Sequence, residues 1–331
     1  MTVASQKTAK PIFIVSSGRS GSTILTWCLG QHPNIIPQEE SNWLGPFAID
    51  AAVDYKRGTL RGERSQLSAN FIQREELLAS FGEAINQLLL SHRQQFETPL
   101  AREEAGWQPP PFPVSRSQNE PKTRWVDGTP EYSLHICGLR KLFPDAVFVH
   151  LVREVTDVVR SLLNFFPQEG KRLVDTEQAA YEYWLRRANA CYEAEKAYGR
   201  QTIYRLRYSD LIGDQEVAMR SLLEFLGEPY AAECLEPFAQ RINSSNVPAG
   251  FDEHEPATNP AIVERARRLS EELLDSPQPL QPSSQAASQL EADFDRYVEY
   301  HAALEANLKE ARLLVERLQN DRALPSTTPA V

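Results

Sequence analysis

Two runs of the chain are apolar almost without a break: IFIV at 12–15 and AVFVHLVR at 146–153. A continuous apolar run of this length predicts a strand buried on both faces, as inside a parallel sheet. The first run passes through the turn SSGRSGS into TILTWCLGQH, where Ile24, Leu25, Cys28 and Leu29 share a helical face. The second runs straight into the helical pattern EVTDVVRSLLNFF. Between them, 50–97 reads as helix, with an amphipathic stretch at Leu77, Leu78, Phe81, Ile85, Leu88 and Leu89. A proline-rich loop covers 106–121, and a short strand, a turn and a helix follow from Arg124. Further on, 177–198 reads as helix and 202–211 as a third strand. EVAMRSLLEFLGEPY then reads as a helix stopped by Gly227 and Pro229. Strands alternating with helices predict an α/β chain: a three-layer, P-loop-like fold with a central parallel sheet flanked by helices.

The C-terminal part changes character. Residues 276–288 (SPQPLQPSSQAAS) read as a linker after a first domain spanning 1–275. Apolar or half-apolar side chains then fall at 290, 294, 297, 301, 304, 308, 311, 315 and 318, alternating steps of four and three. That is a heptad seam on a long C-terminal helix at 289–322, with 323–331 as a disordered tail. The helix either packs back on the body or joins two copies in a homo-oligomer.

Composition narrows the classes. Of 331 residues, 41% are apolar and 24% charged, the balance of a globular chain with a sizeable core. A net charge of −10 argues against broad binding to nucleic acid or to an anionic membrane. No apolar run reaches the ~18 residues of a membrane span, and MTVASQKTAKP lacks the apolar core of a signal peptide. The expected location is cytoplasmic. Cys28, Cys137, Cys191 and Cys234 form no C-x-x-C pair, so they read as buried reduced thiols. No two of the six histidines have metal-ligand spacing, so no metal is expected.

The chemistry concentrates at FIVSSGRSGSTIL, residues 13–25. Strand, small polar turn and helix start present backbone N–H groups and a positive dipole end to an anion. Yet the nucleotide-loop pattern G-x-x-x-x-G-K-[ST] needs a Lys that is missing here. The cation is Arg19, a rigid fork charged at any useful pH. Backbone N–H groups from Arg19 through Gly21 to Thr23 can cradle an anion, and the hydroxyls of Ser20, Ser22 and Thr23 add donors.

SSGRSGSTIL, FVHLVREVTDVVRSLLNF and RYSDLIGDQEVAMRSLLEFLG together resemble the sulfotransferases that use 3'-phosphoadenosine-5'-phosphosulfate (PAPS). The resemblance covers about residues 11–250. It implies that the first loop holds the 5'-phosphosulfate and that Arg153, with Ser161 eight residues on, holds the 3'-phosphate. Tyr208 then lies by the nucleotide, with Ser244 and Ser245 as further candidates. Within the family the protein-tyrosine branch is locally similar: an Arg in the loop, then H-P-x-x-x-x-x-E-E, here HPNIIPQEE at 32–40. This match implies Glu40 as the catalytic base and Arg19 as a catalytic cation. A carboxylate can take the proton late in the transition state, more so if burial raises its pKa.

One position departs from the family. WVDGTPEY, 125–132, has Gly128 where relatives place a Lys before Thr-Pro. A nearby cation, Lys122 or Arg124, can substitute, or the glycine makes room for a bulkier acceptor. Asp127 either pairs with a cationic acceptor or is a turn residue. His135 and His254 are alternative bases or acceptor contacts, and Trp43 heads the aromatic residues of the specificity loops at 42–70, 106–121 and 246–258. The expected reaction moves a sulfuryl group to a hydroxyl or amine of a small-molecule acceptor, releasing adenosine 3',5'-bisphosphate (PAP). Other readings are a carbohydrate or protein-tyrosine sulfotransferase, a P-loop kinase or NTPase, and a non-catalytic coiled-coil scaffold with a relict nucleotide site.

Overall fold

The computed structural model describes residues 10–96, 122–165, 172–239 and 257–323. Five parallel strands form one sheet in the order β2-β3-β1-β4-β5: β1 (Ile12–Val15), β2 (Ile35–Pro37), β3 (Arg124–Asp127), β4 (Val147–Val152) and β5 (Ile203–Arg207). All four β1 residues are fully buried, as their unbroken apolar run requires. Alternation then splits them between two cores. Phe13 and Val15 face one layer, and Ile12 and Ile14 the other.

The Phe13 side is built on aromatics. Its ring meets Trp125 at 5.3 Å, Phe148 at 5.4 Å, Tyr132 at 5.7 Å and Phe143 at 5.8 Å. Over this layer lie α2 (Leu44–Thr59), α4 (Arg74–Phe96), α5 (Ile136–Leu142), part of α7 (Glu177–Tyr198) and the first half of α11 (Ser284–Ala323). The opposite face carries α1 (Ser22–Gly30) and α9 (Gln215–Leu226). The short α8 (Tyr208–Gly213) leads from β5 into α9. A third cluster joins α6 (Val155–Leu163) and α7 to α10 (Pro260–Asp275). The result is the three-layer α/β architecture that the alternating pattern predicts.

Several boundaries move. The stretch at 50–97 is not one helix: α2 stops at Thr59, the four-residue α3 (Gln66–Ala69) follows, and α4 begins at Arg74. Positive φ at Gly62 (56°) and Phe71 (57°) marks the two breaks. The third strand ends at Arg207, and Tyr208 already starts α8. β2 has only three residues, too few to show a period, and is recognised by its pairing with β3. All four cysteines are buried free thiols. The proline-rich stretch at 106–121 lies outside the described residues, as does the tail from 324 on.

The C-terminal helix starts at Ser284, inside the stretch read as linker. The stretch before it is tied down: Arg205 Nη1 donates to the carbonyls of Leu273 and Ser276, and Gln278 Nε2 to that of Ile203. Along the helix, Phe294 and Val298 are buried and Leu290 and Ala302 packed against the body, a face stepping by four. Lys56 and Arg57 of α2 pair with Glu299 and Glu305. The body-facing stripe is therefore rotated from the heptad seam, because Val298 rather than Tyr297 or His301 points inward. The seam residues Leu304, Leu308, Val315 and Leu318 are exposed.

Beneath this C-terminal segment lies a buried charge network. Glu195 is fully buried; it takes 2.5–3.1 Å bonds from Arg205 and a 2.6 Å contact from His150 Nδ1. Burial alone would raise the Glu195 pKa, but these partners outweigh it and hold the carboxyl below its usual range. His150 is thus structural, as its place inside a strand suggests. Replacing Arg205 by Met should leave a buried carboxylate with one partner fewer and release the Leu273–Ser276 carbonyls. Loss of one partner of such a pair costs about 3–5 kcal/mol, to be read from urea unfolding. A loss below ~1 kcal/mol would contradict the role given to this network.

Candidate active site

In parallel sheets ligands gather beyond the C-terminal strand ends, where the strand order reverses. Here the chain leaves β1 for the far edge, returns through β3, and crosses to β4 on the other side. The loops after β1, β2, β3, β4 and β5 bring together Arg19, Glu40, Asp127, Arg153 and Tyr208 at that edge.

The first loop is shaped by backbone that side chains resist. Arg19 has φ 69° and Gly21 φ 106°. A Cβ on Gly21 would also meet the Tyr208 ring at 2.6 Å, so the glycine is needed twice over. α1 begins at Ser22 with no side-chain cap, which leaves its first-turn N–H groups directed at the loop. Ser16, Ser17, Ser20 and Ser22 are all buried around it, and Thr23 is half-buried in the first turn of the helix.

Residues far apart in the chain converge here. Arg19 Nε donates to Ser161 Oγ at 3.1 Å across 142 positions. Arg153 Nη1 donates to the Arg19 carbonyl at 3.3 Å. The Arg153 guanidinium sits 4.8 Å from the Tyr208 ring centroid, and that of Arg19 lies 4.3 Å from Phe165. Burial lowers the Arg19 pKa, and Arg153 lowers it further, while Glu40 opposes. Arg153 Nε is buried and finds no partner among the described residues. Two cations at one cradle, one with a donor to spare, fit an anion carrying more than one charge.

The second half of the site is acidic. Gln38 N donates to the Val126 carbonyl at 2.8 Å, Ser41 N to Thr129 Oγ1 at 3.2 Å, and Leu44 N to the Tyr132 hydroxyl at 3.3 Å. These bonds stitch 38–44 onto the segment after β3 and so set Glu40. Glu40 as a residue is exposed, at the mouth of the cleft. Desolvation raises its carboxyl to about 7, helped by Glu131, Asp127 and Glu39 against the pull of Arg19. Asp127 is 2% exposed and accepts from Thr129 N at 2.9 Å and Thr129 Oγ1 at 2.6 Å. Burial pushes it to about 6 despite these bonds. Its bonds to Thr129 close the turn after β3, and it also lines a cavity of about 230 Å³ with Glu39, Ser41, Trp43 and Leu89.

The two cations expected to replace the family Lys do not reach the site. Lys122 donates to the Ile35 carbonyl, and Arg124 bonds Glu228 and the carbonyls of Lys10 and Leu226. Both sit at the opposite end of β3 from Asp127. Nor does Gly128 make room for an acceptor. A Cβ there would stand 2.3 Å from Thr26 Oγ1 on α1, so the glycine reflects close helix–strand packing.

Trp43, 42% exposed, lies at the cavity mouth as its candidacy requires. His135 does not join it. The imidazole packs on Gly45 and lines a different cavity of about 220 Å³ between α2, α5, α7 and α11. Burial, with Arg186 nearby, holds it neutral with a pKa of about 4. Ser244, Ser245 and His254 lie outside the described residues. His32 of the H-P segment is an anchor: its ring bonds the Pro229 carbonyl and Asn34 N. Tyr183, Glu131 and Arg187 also border the loop. In the sequence they are ordinary residues of a turn and a helix, and nothing in their spacing singles them out. Among the described residues, no cluster of three or more His, Cys, Asp or Glu is placed to hold a metal, and no helix is long and apolar enough to cross a membrane.

A strand–loop–helix with two arginines beside it and carboxylates opposite is a frame that can hold an anion. The profile of the sulfotransferase family matches residues 11–232, and the chain belongs to that family. Among solved structures it is similar to the sulfotransferase domain of the Synechococcus PCC 7002 olefin synthase, with 21% identity over 90% of this chain and 97% of that one, and a TM-score of 0.44. It is also similar to the sulfotransferase domain of the curacin biosynthetic pathway (19%, 86% and 99%, 0.43) and to a sulfotransferase from Mycobacterium avium (18%, 84% and 79%, 0.43). No curated protein sequence matches significantly.

Two outcomes test this geometry. Gly128→Ala should destabilise by ~1–3 kcal/mol through overpacking, and most of that loss should vanish in a Thr26→Ala background. An additive double-mutant cycle would refute the contact. The second concerns protons. Glu40 and Asp127 hold theirs in the folded state up to about 7 and 6, above their ordinary carboxyl values. The folded state then binds more protons than the unfolded one as pH rises from ~4 to ~7, and stability falls across that window. Glu40→Gln should therefore melt higher than the parent at pH 8, with the gap closing by pH 5. Equal melting at both values would contradict the acidic site.

Proposed function

We propose that this sulfotransferase takes its sulfuryl group from PAPS and passes it in line to a hydroxyl or amine of a small-molecule acceptor, releasing PAP. The observation that carries the reading is the meeting of Arg19, Ser161 and Arg153 at one uncapped helix start. A donor with phosphate groups at two positions of one ribose needs two anion sites a few ångströms apart. Arg19 with the loop N–H groups suits the first, and Arg153 with Ser161 suits the second. The spare Arg153 Nε and the Tyr208 ring beside it support that assignment.

The acceptor oxygen or nitrogen forms a bond to sulfur while the bond from sulfur to the 5'-phosphate oxygen breaks. The acceptor's proton goes to Glu40, and the electron pair stays on the leaving phosphate. A carboxyl with a pKa of about 7 is a better base than an ordinary Glu and is still largely ionised just above neutrality. Arg19 and the first-turn N–H groups meet the charge that grows on the phosphate. The other contribution is positioning: the cavity lined by Glu39, Ser41, Trp43 and Asp127, residues flanking Glu40 in the chain or bonded to its turn, is the place this reading gives the acceptor. That cavity, about 230 Å³, is below the ~300–1,000 Å³ typical of drug-sized ligands, which favours a small acceptor or the reacting end of one.

The test is turnover of PAPS with a panel of small alcohols, phenols and amines, following PAP release. Glu40→Gln should lower the rate by ~10²–10⁴-fold while PAP affinity stays within a few-fold of the parent. Undiminished turnover in Glu40→Gln would remove the carboxylate from the mechanism. Binding of PAP with no transfer to any acceptor, even by the parent, would favour the scaffold reading.

A further inference from the structure

Glu131 stands in the cleft with no part in the transfer as described so far. Its Oε1 accepts from the Tyr183 hydroxyl at 3.2 Å and from Arg187 Nη2 at 3.2 Å. Arg187 is 9% exposed, and its guanidinium carbon lies 3.4 Å from the Tyr183 ring centroid. The Tyr183 hydroxyl in turn packs against the anion loop: a Cβ on Gly18 would stand 2.9 Å from it. One line of contacts thus runs from the loop backbone through Tyr183 to Glu131, with Arg187 behind. Tyr183 and Arg187 are one turn apart on α7, so a single rigid helix sets both.

We propose that Glu131 is a positioning residue for the transfer: it holds Tyr183 against the start of the anion loop, and it places a second carboxylate on the turn to which the Ser41–Thr129 bond ties the Glu40 segment, so that its charge acts on Glu40. The second part rests on the reading of Glu40 as the proton acceptor. The groups facing Glu40 are Glu131 and Asp127 from the turn after β3, Glu39 beside it, and Arg19 from the loop. Glu131 is the strongest of these influences after burial itself. Around Glu131 lie Tyr183, Arg187, His135 and Glu40. The Arg187 guanidinium pairs with Glu131 at 3.2 Å, and burial raises the Tyr183 pKa, which keeps that hydroxyl protonated as a donor. Loop and base are thereby adjusted by one carboxylate, so a shift in the loop that carries the anion also shifts the charge beside the base.

Glu131→Gln is the informative change, because it keeps the Oε1 acceptor for Tyr183 and Arg187 and removes only the charge. The full chain is labelled with glutamate enriched in carbon-13 at the carboxyl, and the side-chain shifts are followed from pH 4 to 9. The Glu40 resonance is the one lost in Glu40→Gln. In the parent it should titrate near 7, and in Glu131→Gln about one unit lower. A midpoint that does not move, in a variant that folds as the parent does, overturns the electrostatic half. Tyr183→Phe tests the other half: PAP affinity should fall about ten-fold with the Glu40 midpoint kept, and unchanged affinity overturns it. If PAP fails to bind the parent, the functional reading falls irrespective of Glu131. If PAP binds and the midpoint stays put, only the present inference falls.

Discussion

Two guanidinium groups held side by side at one loop are the constraint on which the rest depends. Arg153 donates to the carbonyl of Arg19, and each is partly removed from water. Burial lowers the Arg19 pKa, and the neighbouring Arg153 charge lowers it further, against the pull of Glu40. Holding two like charges at one loop is unfavourable until an anion joins them, which suits a phosphate group. The cost is met elsewhere: by the buried sheet, by the aromatic cluster on Phe13, and by the Glu195–Arg205–His150 network beneath the C-terminal segment.

The sheet order converts that constraint into geometry. β1 and β4 are adjacent and parallel, paired from Ile12↔Val147 to Val15↔His150. Their C-terminal ends therefore release Arg19 and Arg153 on one side of the sheet. β3, on the other side of β1, delivers Asp127 and the turn that holds 38–44. Cationic and acidic halves face each other across the end of a single central strand. A reaction that needs an anion on one side and a proton acceptor on the other has both within this frame.

The legible part of this was local. Unbroken apolar runs announced β1 and β4, and the small polar turn announced the break between β1 and α1, because both signals lie within a few consecutive residues. The pairing of Arg153 with Ser161 came from the resemblance and the order of motifs along the chain; in the structure Arg19 stands between them, bonding Ser161 through Nε and Arg153 through its carbonyl. What spacing could not convey was packing. Gly128 looked like space for an acceptor, whereas the close approach of Thr26 explains it. Lys122 and Arg124 looked near Asp127 in sequence, but β3 carries them to its other end. The heptad seam was real as a pattern, yet the body selects Val298, one step off it. Tyr183 and Arg187 gave no signal, since their role arises only when α7 crosses the loop.

The most direct test of the central claim is calorimetric titration of the intact protein with PAP, set against AMP and Mg-ATP, in the parent and in Arg153→Ala. The account predicts saturable binding of PAP well above either control, reduced at least ~100-fold in Arg153→Ala and weakened by salt. Equal affinity for AMP and PAP, or an Arg153→Ala variant that binds PAP like the parent, would contradict it. The paired arginines would then serve some anion other than a 3'-phosphorylated nucleotide.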